Sequence, residues 1–79
     1  MSEYPKRMLS ALMVMGAQSP GRAMSSEELA ERLGIDKEVI ETELKSLVEA
    51  GYASAVEGPG TLRVYLTGTG IISASSTYS

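Results

Sequence analysis

The stretch SSEELAERLGIDKEVIETELKSLVEAGYA, residues 25–53, decides the fold. Ser25 followed by Glu28 is a capping box. The hydroxyl accepts from the Glu28 N–H, and the carboxylate reaches back to the Ser25 N–H. Met24 and Leu29 take the staple positions around this cap, and Leu29, Ala30 and Leu33 form a buried stripe. Gly34 closes the helix, because glycine enters the left-handed conformation without steric cost. Asp36 then reads as a second N-cap, with Ile35 and Ile40 as its staple. Ile40, Leu44, Leu47 and Val48 repeat at helical spacing until Gly51. Two helices are therefore predicted, the later one over 37–50, joined by a turn too tight to hold more than a few residues.

Working outward, PKRMLSALMVMGA at 5–17 predicts a first helix, with Pro5 in the first turn and Leu9, Leu12, Met13 and Gly16 on one face. QSPGRA at 18–23 is a loop. After Gly51 the apolar period becomes two. YASAVE and LRVYL read as strands of a hairpin around GPGT at 58–61, and residues 23 and 24 are placed to add a short third strand. One domain is expected over 1–72, with SASSTYS, 73–79, as a frayed tail. The fold class is α+β, mainly α: a helix-turn-helix of three helices followed by a β-hairpin.

Composition narrows the chemistry. The chain of 79 residues has no cysteine and no histidine, which removes thiolate ligands, imidazole ligands and the commonest general base. Its scattered Asp, Glu, Ser and Lys form no catalytic motif, so no enzyme activity, metal or cofactor is expected. The longest apolar run, ALMVMGA, is too short for a bilayer, and cytoplasmic location is the default. A net charge of −3 argues mildly against unspecific attraction to nucleic acid.

Residues 25–53, together with VYLTGTG at 64–70, resemble the winged-helix domain of MarR-like and ArsR-like transcription regulators and of small archaeal winged-helix proteins. Those families share an ELAERLG second helix, a third helix ending in LVEAGY and a strand closing in Leu-Thr-x-x-Gly, here Leu66 to Gly70. The resemblance implies a third helix in the DNA major groove and a hairpin wing on the backbone. The positions facing double-stranded DNA would be Lys37, Glu38, Val39, Glu41, Thr42 and Lys45, with Arg63 on the wing. Lys6, Arg7, Arg22 and Arg32 are weaker contributors. Family members often carry Ser, Thr, Arg or Gln on that helix, and this chain departs from them at Glu38, Val39 and Glu41.

A glutamate in the groove meets phosphate repulsion and finds one good base partner, the cytosine amino group. The bland arrangement for Glu41 is an i,i+4 pair with Lys45 on a solvated face. Arg63 is as well suited to lying along its strand as to reaching a phosphate. The first helix carries a second apolar side, Met8, Ala11 and Met15. With Ile71 and Ile72, these residues form a candidate homodimer interface. A further possibility for the methionines is core filling. Two functions follow: a DNA-binding transcription regulator acting as a homodimer, or a winged-helix module that binds another protein in a macromolecular assembly.

Overall fold

The computed structural model describes residues 3–56, 58 and 60–78, with side chains from Pro5 to Ser76 apart from Glu57 and Pro59. Pro59, part of the expected hairpin tip, lies outside the described residues. The chain runs α1 (Glu3–Val14), a 3-10 turn (Pro20–Arg22), β1 (Met24–Ser25), α2 (Ser26–Leu33), α3 (Lys37–Glu49), β2 (Ala53–Val56), β3 (Arg63–Leu66) and α4 (Gly68–Tyr78).

Helix ends follow the local chemistry. The Ser25 hydroxyl accepts from the Glu28 N–H at 3.1 Å, and the Ser25 N–H donates to the Glu28 carboxylate at 3.2 Å, so the capping box is complete. Gly34 closes α2 at φ 65°. At the end of α3, the Tyr52 N–H reaches the Leu47 carbonyl and the Gly51 N–H the Val48 carbonyl, with Gly51 at φ 85°. This pair of bonds satisfies carbonyls that the helix would otherwise leave open. The same closure occurs earlier than expected in α1. Ala17 bonds back to Leu12, and Gly16 to Met13, so the helix stops at Val14 rather than near residue 17. Asp36 sits at the N-cap of α3, but its side chain makes no capping hydrogen bond.

The sheet has the order β1-β3-β2, all antiparallel. The short strand expected at residues 23 and 24 exists one residue later, with Met24 opposite Val64 and Ser25 opposite Arg63. Val64 and Leu66 on β3 point into the core, and Arg63 outward.

The core gathers Met8, Leu12, Leu29, Ile40, Leu44, Val64 and Leu66, all fully buried. Each such side chain contributes roughly 1.5–3 kcal/mol of transfer free energy. Three helices were expected, and the described residues form four α-helices. The expected boundary at residue 72 falls inside α4, which packs along α1 and buries Ala74 completely. Residues 73–78 therefore belong to a helix of the domain rather than to a frayed end. Met8 and Ala11, expected at a dimer interface, are core residues at 0% and 8% exposure, because the second apolar side of α1 has its own partner within the chain.

Candidate nucleic-acid interface

The turn at Gly34 sets α3 across α2, and the buried stripe Ile40, Leu44 and Leu47 fixes which face looks outward. Lys37, Glu38, Thr42 and Lys45 are exposed, while Val39 and Glu41 are half-buried. Between α3 and the hairpin runs an open groove of about 520 Å³, with Glu41 and Lys45 on one side and Ala55, Val56, Thr61 and Leu62 on the other. A smaller, mostly apolar depression continues it past Val48 and Glu49.

Glu41 behaves differently from expectation. Its carboxylate accepts the hydroxyl of the fully buried Ser26 at 3.4 Å, and no ion pair with Lys45 forms among the described residues. The side chain is turned toward the start of α2, where a helix N-terminus favours negative charge. The Thr42 hydroxyl donates to the Glu38 carbonyl at 3.0 Å, which keeps it against its own helix. Lys45 is exposed with no ion pair among the described residues. Of the acidic residues expected at the groove-facing positions, Glu38 is exposed and Glu41 half-buried.

The wing base is tied to α2 and α3. Arg63 lies beside Ser25 and Val56 in the sheet, and its guanidinium donates to the Ala23 carbonyl at 3.4 Å. It is exposed and arches over β1. Lys37 pairs with Glu27 at 3.6 Å, and the same Glu27 oxygen accepts the Thr61 hydroxyl. The Thr61 hydrogen bond first, and the Lys37 charge second, hold the Glu27 carboxyl below its ordinary range. Glu27, Thr61 and Ser26 were not among the residues expected at the site. The one legible signal was an acid in the first turn of a helix that starts close to the wing.

Of the residues expected at a dimer interface, Met15 and Ile71 are half-buried and Ile72 is 71% exposed. Val14, not among the expected set, is 63% exposed. Among the described residues no helix is long and apolar enough to cross a membrane.

No curated protein matches the chain. Among solved structures, TubR from Bacillus megaterium pBM400 is similar at a TM-score of 0.88 and 18% identity, over 99% of this chain and 87% of that one. At that identity the likeness is one of fold, and it covers α4 as well as the winged helix. The Rrf2 family profile, described as iron-dependent transcriptional regulator, matches residues 1–64. Iron would need thiolate, imidazole or clustered carboxylate ligands. These 79 residues include no cysteine and no histidine, and the described residues bring no three potential ligands together. The donors present here do not fit an iron centre, and no step of the mechanism runs through one. The fold, the match over most of the chain and the exposed α3 beside a wing lead to one conclusion: this chain belongs to the Rrf2 family and is a DNA-binding transcriptional regulator of the winged-helix type.

Proposed function

We propose that the protein binds double-stranded DNA with α3 in the major groove and the β2–β3 wing on the adjacent backbone. The observation that carries this reading is the hydrogen bond from Ser26 to Glu41. It ties one of the two glutamates of the α3 face to the start of α2 and leaves Lys45 and Thr42 exposed beside Glu38. Lys45 and Arg63 then serve as phosphate contacts, which set position and supply affinity. Glu38 is suited to a cytosine amino group, and Val39 to a thymine methyl.

The acting unit in this reading is a homodimer located in the cytoplasm. Met8 and Ala11 are occupied in the core, so the contact surface is reduced to Ile72 with Ile71 on α4, aided by Val14 and Met15 on α1. Two copies would read half-sites about 34 Å apart, one helical turn.

The alternative is a protein-binding winged helix. The apolar depression formed by Val48, Ala55 and Leu62 between α3 and the wing, with Glu49 at its edge, supports it. Binding to duplex DNA, measured by mobility shift at low and at high salt, separates the two. A shift that weakens steeply with salt supports the DNA reading, and no shift at low salt favours the alternative.

A further inference from the structure

A single carboxylate oxygen joins α2, α3 and the β2–β3 loop at the edge of the proposed DNA-facing surface. Glu27 Oε1, in the first turn of α2, lies 3.6 Å from the ammonium of Lys37, the first residue of α3. It also accepts the hydroxyl of Thr61 at 2.5 Å, and Thr61 lines the groove between α3 and the wing. A lysine ammonium and a hydroxyl converging near a helix N-terminus are the donors that ordinarily hold a backbone phosphate oxygen. The place is accessible: the side chains of Lys37 and Glu27 are 47% and 61% exposed. Ion pairs so open to solvent are held weakly, and a competing anion can displace the carboxylate.

We propose that Lys37 and Thr61 form a phosphate subsite which Glu27 fills in the free protein, and that DNA enters it by exchanging a phosphate for the Glu27 carboxylate. This rests on the DNA-binding reading above. The exchange has a distinct electrostatic consequence. Each phosphate neutralised by a lysine releases a condensed cation, but the expelled carboxylate is left beside a polyanion and takes a cation up. Lys37 therefore adds less to affinity and to salt dependence than a free lysine would. Contacts to phosphates alone are penalised, and a duplex that also offers base contacts is favoured over one that does not.

The test is fluorescence anisotropy of a labelled duplex across a sodium chloride series, with the parent chain, Glu27→Gln, Lys37→Ala and the double variant. The Glu27→Gln change keeps the size and the hydrogen-bonding capacity toward Thr61 without the charge, and a thermal melt verifies the fold. Exchange predicts that Glu27→Gln binds about tenfold tighter at low salt, with a log–log salt slope steeper by about one unit. Adding Lys37→Ala removes both gains. If Glu27→Gln binds no tighter than the parent, or with an unchanged slope, Glu27 only positions Lys37 and the wing, and the exchange is wrong. If neither the parent nor Glu27→Gln binds duplex at low salt, the DNA-binding reading falls and takes the exchange with it.

Discussion

Gly70, at the third position of α4, lies directly against the carbonyl oxygen of Tyr52, so close that a methyl group on its Cα would overlap that oxygen. The Tyr52 carbonyl already accepts the Thr67 N–H at 3.0 Å, and the Thr67 hydroxyl donates to the Gly51 carbonyl at 2.7 Å. The Gly70 N–H in turn donates to the Thr67 hydroxyl at 3.1 Å. Thr67 therefore caps α4 while fastening it to the end of α3. The Leu-Thr-x-x-Gly pattern is the joint that seats the last helix on the helix-turn-helix.

Gly70→Ala should accordingly be costly. The obstacle is backbone, which cannot swing aside as a side chain would, so a loss of about 1–3 kcal/mol is expected. For a domain of this size each kcal/mol lowers Tm by roughly 4–8 °C. Gly68, with open space around it, is the control: Gly68→Ala meets nothing nearby and should melt close to the parent.

The two N-caps should separate in the same experiment. Ser25→Ala removes an acceptor that the Glu28 N–H uses, and about 1 kcal/mol should be lost. Asp36 makes no side-chain capping bond, so Asp36→Ala should change stability by only a few tenths of a kcal/mol. Equal melts for the two variants would contradict this assignment of the helix starts.

Met8 and Ile72 make a further contrast. Both are apolar residues on helices that pack together, but Met8 is fully buried and Ile72 is 71% exposed. Met8→Glu places a carboxylate in the core and should unfold the domain. Ile72→Glu should stay folded, by circular dichroism, and the proposed homodimer predicts that it shifts sedimentation toward monomer. A folded Met8→Glu would place that side chain outside the core after all.

Residues 25–53 carried most of the fold in legible form, because caps, staples and glycine stops are local chemistry. The hairpin was legible from its period of two. α4 was not, since Gly68, Gly70, Ser73, Ser75 and Ser76 are weak helix formers and the helix exists through packing on α1 and the Thr67 joint. That omission produced the next one. Without α4 the second apolar side of α1 reads as a surface for another copy, whereas α4 packs along that helix. In the site, the resemblance to winged-helix regulators named six positions on α3, of which Lys37, Glu38, Thr42 and Lys45 are exposed and Val39 and Glu41 half-buried. The turning of Glu41 to Ser26, and of Glu27 to Lys37 and Thr61, depends on contacts between elements, which spacing along the chain does not encode.

In the proposed complex α3 and the wing grip duplex DNA together, and Lys45 and Arg63 probe the two elements separately. Anisotropy of a labelled duplex across a salt series, with Lys45→Ala and Arg63→Ala, tests it most directly. Each variant should weaken binding on every sequence and lower the log–log salt slope by about one unit. Binding by both variants with the parent's affinity and slope would contradict the account.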